Sequence, residues 1–182
     1  MGENKDLIEV LEGYDIEIVP QSNVLNIVGI FNEDMLQMVY DFVNNLDEEN
    51  NEPIKINITS EGGSADILNA IIDLLKSTNR ELHATVHGYA YSSALGLLCA
   101  CDKRKMGKLS KLMYHNCIYS IEGGLQAHKD VLEDSIKIQE EYDNLILNVA
   151  KGITKEDLSK HKYRDWFINR DTAIDLGLIN VQ

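Results

Sequence analysis

Ser92 and Ser93 stand side by side in GYAYSSALGLL (88–98), where a strand-like run gives way to an apolar helical one. A serine at such a junction can expose its hydroxyl while the free N–H groups of the first helical turn point the same way, which suits a nucleophile. The same hydroxyl can instead cap those N–H groups, the ordinary use of serine at a helix start. The hydrolase elbow G-x-S-x-G is not present, because Ala94 occupies the place of the second glycine.

A nucleophilic serine needs a base for its proton and a carboxylate to orient that base. Of the five histidines, His115 ends the apolar run LMYH, where a strand terminus would present it beside the serine loop. His83 and His87 fall on the polar face of an alternating strand, His128 lies in a helical stretch and His161 in a charged loop. Asp165 precedes Trp166, Phe167 and Ile168 and is expected to be drawn inward. There a carboxylate requires a partner, either an imidazolium or the adjacent Arg164. SEGGS (60–64) adds a pair of glycines, Gly62 and Gly63, whose backbone can come close to a ligand and offer N–H groups to an oxyanion. A tight strand-to-helix turn capped by Ser64 accounts for the same residues. No Lys-Ser or Lys-Thr follows, so this is not a phosphate loop.

The elements that must position these groups alternate in type. DIEIV (15–19), VLNIVGI (24–30), IKINIT (54–59) and ELHATVH (81–87) read as strands. Asn32 caps a helix with Leu36, Val39, Val43 and Leu46 on its apolar face, and a helix with Ile67, Ile71 and Leu74 follows SEGGS. KLMYH (111–115) reads as a short strand, and a long helix carries Val131, Ser135, Ile138, Tyr142, Leu145 and Val149, with Gly152 placed to end it. Thr154 and Asp157 form a capping pair, and RDTAIDLGLINV (170–181) reads as a short helix, a Gly177 cap and a final strand. Strand, glycine turn and helix in succession predict an α/β fold with a mainly parallel sheet, its site at the carboxyl ends of the strands.

The 182 residues fit one domain. A formal net charge of −13 argues against a nucleic-acid partner, and the cluster Lys103, Arg104, Lys105, Lys108 and Lys111 reads as a solvated loop. No apolar run is long enough to span a membrane and no signal peptide is evident, which points to the cytoplasm. Cys99, Cys101 and Cys117 read as reduced thiols, without zinc spacing.

ITSEGGSADILNAIID (58–73), GYAYSSALGLL (88–98), LMYHN (112–116) and RDWFINRDTAIDLGLIN (164–180) together resemble, in order and spacing, the Clp proteolytic subunit family of self-compartmentalising serine peptidases. The resemblance covers residues 24–180 and lies in the combination of blocks. It implies a ClpP/crotonase-like fold with a handle helix over about 125–151, Ser92 as nucleophile, His115 as general base and Asp165 as orienting acid. It further implies an oxyanion hole from the amides of Gly63 and Ser93, substrate contacts at Gly62, Gly123 and Gly124, and no metal or organic cofactor. The implied partners are copies of the chain in stacked rings, heptameric in the family, polypeptide substrates and an AAA+ unfoldase.

Glu61, Ser93-Ala94 and Cys117 replace the family's proline, Met-Gly and proline; Tyr163 replaces an acid, and residues 1–23 do not resemble the family's amino-terminal pore loop. None of these changes removes a catalytic group. A crotonase-type acyl-CoA enzyme, which shares the fold and the oxyanion pair, and a non-catalytic ring subunit are the alternatives.

Overall fold

The computed structural model describes residues 23–47, 49–161 and 163–181. The strand expected at 15–19 lies outside them. Strand β1 (Val24–Phe31) is followed by helix α1 (Glu33–Asn44), whose N-cap Asn32 accepts a hydrogen bond from the Met35 amide at 3.0 Å. Strand β2 (Ile54–Gly63) buries Ile54, Ile56 and Ile58 on one face and leads into α2 (Ala65–Ser77), capped by Ser64. Strand β3 (Leu82–Tyr91) leads into α3 (Ser93–Ala100), a short helix buried nearly all round. Its Ala94, Leu95, Leu97 and Leu98 are at most 1% exposed, which explains its lack of a polar face.

Strands β4 (Lys103–Met106) and β5 (Lys111–Tyr114) come next, then α4 (Leu125–Leu147), α5 (Lys155–Ser159), β6 (Trp166–Asn169) and α6 (Arg170–Asp175). One six-stranded sheet runs β1-β2-β3-β5-β6, with β4 paired to β3 off that path. The pairs are parallel except β5 with β6, which is antiparallel. On the edge away from β2, strand β3 therefore serves two neighbours: His83–Val86 pair with β4 and Tyr89–Tyr91 with β5. Between the two stretches lies Gly88 at φ +80°.

Several expectations change. The SEGG segment is not a free turn: β2 continues through it, with Gly62 and Gly63 paired to Ile30 and Phe31 after a register shift between Val28 and Ile30. The basic run at 103–106 is a strand, not a solvated loop, and Arg104 is buried. Its guanidinium donates to the carbonyls of Leu178 (2.8 Å), Cys101 (2.9 Å) and Gly177 (3.2 Å), which is how the interior accepts the charge. The final strand does not form; the amides of Asn180 and Val181 both donate to the Arg104 carbonyl instead. Helix α4 ends at Leu147, well before Gly152. The Thr154–Asp157 capping box forms as expected, and Asp157, bonded to Lys160 and Thr154, has its carboxyl pKa lowered to about 2.

Candidate active site

The carboxyl ends of β2, β3 and β5 meet at one edge of the sheet. Ser92, directly after β3, occupies the N-cap position of α3, yet its side chain makes no capping hydrogen bond. Its backbone is fixed on every side. The amide donates to the Met113 carbonyl of β5 at 2.9 Å, and its own carbonyl accepts from Leu95 (2.9 Å), Gly96 (3.2 Å) and the Tyr142 hydroxyl (3.0 Å). These bonds hold Ser92 at φ +52°, ψ −124°, a conformation that costs a non-glycine residue about 1–3 kcal/mol. A strained strand-to-helix turn thus lifts an uncommitted hydroxyl out of the sheet although the elbow motif is missing from the sequence.

Gly62 packs against this turn, and Gly63 against β1, so closely that side chains are excluded. A Cβ on Gly62, at φ +94°, would lie 2.6 Å from the Tyr91 carbonyl oxygen and 2.8 Å from the Ser92 Cβ. One on Gly63 would meet the Phe31 oxygen at 2.6 Å. The Gly62 amide donates to Ser60 Oγ (3.0 Å), which in turn donates to the Gly29 carbonyl (2.5 Å), so the glycine arm is anchored across to β1. The second serine ties the two arms together, its hydroxyl donating to the Gly63 carbonyl at 2.8 Å. Ser93 is also the first residue of α3, where an amide has no partner within the helix.

His115 follows the last residue of β5. Its Nδ1 lies 2.6 Å from the Asn116 carbonyl oxygen. A carbonyl can only accept, so Nδ1 carries the proton and, in the neutral ring, Nε2 holds the lone pair. That is the tautomer a general base needs.

Asp165 departs from expectation. It is exposed rather than drawn inward, and its carboxylate has no hydrogen bond to His115. The hydrophobic residues after it do not pull it in, because β6 alternates: Ile168 is buried, whereas Phe167 is 57% exposed. The antiparallel β5–β6 ladder ends at the pair Tyr114–Trp166, and His115 and Asp165 are the residues that adjoin that last pair, one after Tyr114 and one before Trp166. Trp166 is itself braced, its ring stacked on His161 with centroids 4.5 Å apart. Burial, with Arg164 and Lys160 beside it, lowers the pKa of His161.

Ser92, Ser93, Gly62, Gly63 and His115 line one cleft of about 520 Å³. Gly123 and Gly124 do not line it; Gly124 is the N-cap of α4, and Cys117, Ile118 and Tyr119 border the cleft in their stead. Among the lining residues that sequence reasoning missed are Glu61, Asp66, Tyr119 and Leu68. Tyr142 also borders it, and only its helical spacing marked it, as a packing residue. Cys99 and Cys101 are buried free thiols, pushed up to about 12 by that burial, and Cys117 is half-buried and also shifted upward. Among the described residues no helix is long and apolar enough to cross a membrane.

Known proteins carry the same pattern. The family described as Clp protease matches residues 15–181. An ATP-dependent Clp protease proteolytic subunit of Ligilactobacillus salivarius is 29% identical over 163 residues, covering 88% of this chain and 82% of the relative. Subunit 2 of the same protease in Prochlorococcus marinus is 31% identical over 159 residues, covering 84% and 75%. Among solved structures, a ClpP1 mutant from Listeria monocytogenes superposes with a TM-score of 0.76 at 23% identity, over 87% of this chain and 89% of the other, a likeness of fold. With these matches over a cleft that joins a strained serine to a correctly tautomerised histidine, the chain belongs to the Clp protease family, as a Clp-type serine peptidase.

Proposed function

We propose that the chain hydrolyses peptide bonds through Ser92, His115 and Asp165, as the proteolytic subunit of an ATP-dependent, self-compartmentalising protease. The observation that carries this reading is the Ser92 turn: a strained backbone held on every side, with a hydroxyl that caps nothing, in a cleft shared with His115. Ser92 Oγ attacks the scissile carbonyl while His115 Nε2 takes its proton. The C–N bond then breaks as His115 returns that proton to the leaving amine, and water cleaves the acyl-enzyme by the same route, restoring Ser92. The negative oxygen of each tetrahedral intermediate is received by the amides of Gly63 and Ser93. Gly62 donates to Ser60, which supports Gly63 as the donor on that arm.

For Asp165 the support is its place in the chain, directly before Trp166, which pairs in the last rung of the β5–β6 ladder with Tyr114, the residue before His115. In the reacting state its carboxylate replaces the Asn116 carbonyl as partner of Nδ1–H. The chemistry requires no metal or organic cofactor.

Assembly into rings is supported by α4, whose amino-terminal half presents Leu125 (76% exposed), Leu132 (46%) and Ile136 (51%) to solvent. An apolar strip on a protruding helix fits a second copy of the chain. An AAA+ unfoldase would feed such a chamber with polypeptide, and the free thiols fit the reducing cytoplasm. A sizing column read out by fluorogenic peptide hydrolysis tests assembly and chemistry together. Activity should elute with a ring-sized oligomer and vanish in Ser92→Ala; hydrolysis that persists in that variant, or an assembled wild type that cleaves nothing, overturns the reading.

A further inference from the structure

The cleft beside Ser92 has two chemically different walls. Leu68, Ile138, Ile118 and Tyr142 form an apolar wall. Glu61 and Asp66 supply the opposite character: both line the cleft, both are exposed, and among the described residues neither carboxylate has a hydrogen bond or an ion pair. They flank the Gly62-Gly63 arm from either side in the chain, so their charges stand beside the place where a peptide must lie to reach Ser92. Among the described residues no Lys or Arg lines the cleft to neutralise them, and the ionisable nitrogen base that does line it is His115.

An apolar channel with unpaired carboxylates at its rim fits one kind of side chain: a long aliphatic stem with a cationic end. Such a side chain buries its methylenes against the apolar wall and keeps its charge at the wet rim, where the carboxylates meet it. A purely apolar residue leaves the carboxylates unused, and an acidic one is repelled by them. We propose that this cleft selects polypeptides that place Lys or Arg next to the scissile bond, with Glu61 and Asp66 as the residues that set this preference. The proposal rests on the reading of Ser92 as nucleophile and adds the substrate class.

The test compares fluorogenic peptides that differ only in the residue before the scissile bond: Lys, Arg, Leu or Glu. In the wild type kcat/KM should favour Lys and Arg over Glu by about 10–100-fold at low salt, and high salt should compress the ratio because the carboxylates are exposed. In Glu61→Gln/Asp66→Asn the Lys-to-Leu ratio should fall towards one, and Glu61→Lys should shift preference towards the Glu peptide. A Lys preference that is absent in the wild type, or that survives neutralisation of both acids, overturns the proposal. The same peptides, labelled and titrated by fluorescence anisotropy against Ser92→Ala, read binding without chemistry. Tighter binding of the Lys peptide there upholds the selection even if the wild type cleaves no peptide, an outcome that would instead sink the nucleophile assignment. Equal affinities for the Lys and Glu peptides overturn it.

Discussion

The two halves of the site are held in different ways. The serine half is cross-braced: β2 and β3 are central strands, the Ser92 backbone is bonded to β5, to α3 and to Tyr142, and Ser93 fastens the glycine arm to the helix. The base and acid half rests on lighter structure, two short strands at the far side of the sheet, with Asp165 exposed and its flank held by the His161–Trp166 stack. A strained nucleophile and its oxyanion donors need a rigid frame, because about 1–3 kcal/mol of local strain persists only where the surroundings over-determine it. A carboxylate that orients a ring needs only to arrive in time. On the proposed mechanism, the contrast teaches that the Ser92 turn and the glycine arm are already in place within one chain, whereas completing the triad would require Asp165 to turn from solvent towards His115.

Substitutions on the two halves should therefore fail differently. Ser92→Ala should lower peptide-hydrolysis kcat by about 10⁶-fold, the scale on which triad nucleophiles act, while circular dichroism and melting temperature show the fold retained. Asp165→Asn separates the two accounts of His115: kcat should drop by about 10⁴-fold if the carboxylate orients the ring in the reacting state. A loss of less than about tenfold would make the Asn116 carbonyl the sufficient partner. Gly62→Ala should reduce kcat by about 10²–10³-fold, in line with loss of an oxyanion donor, because its Cβ must push the arm away from Ser92.

Smaller effects sharpen the comparison through stability. Ser93→Ala should cost about 0.5–1.5 kcal/mol in urea unfolding, since it removes the part-buried hydrogen bond to the Gly63 carbonyl. On the other half, His161 titrates below its ordinary value of 6.5, lowered by burial, Arg164 and Lys160. The folded state then binds fewer protons than the unfolded one between its lowered pKa and 6.5. Stability should be complete above that window and decline as pH falls through it. Melting temperatures recorded from about pH 5 to 7.5 should show this slope, and His161→Phe, which keeps an aromatic ring for Trp166, should remove that part of it.

The regular elements were legible because local signals suffice for them: Asn32 and Ser64 cap where their side chains and the following apolar spacing indicate. Ser92, His115, Gly62 and Gly63 were legible as candidates by residue type, and the cleft brings them together. What was not legible depends on partners far along the chain. Arg104 looks like solvated surface until the carbonyls of Gly177 and Leu178 are seen around it. The loss of the capping role for Ser92 goes with its bonds to Met113 and Tyr142, which hold its backbone at φ +52° rather than in the extended conformation from which Asn32 and Thr154 cap. Asp165 misled because three hydrophobic neighbours imply an inward turn only if the strand buries both faces, and β6 buries one. Glu61 stood out only as a replacement for the family's proline before Gly62-Gly63, and Asp66 carried no signal, since in an acidic chain one more carboxylate looks like surface.

The central claim is that Ser92 is a preformed nucleophile. Treating the folded, assembled protein with a fluorophosphonate and mapping the adduct by peptide mass spectrometry tests it most directly. The account predicts a single stoichiometric adduct on Ser92, still formed, at a reduced rate, in Asp165→Asn. No adduct on Ser92, or modification of Ser93 in its place, would contradict it.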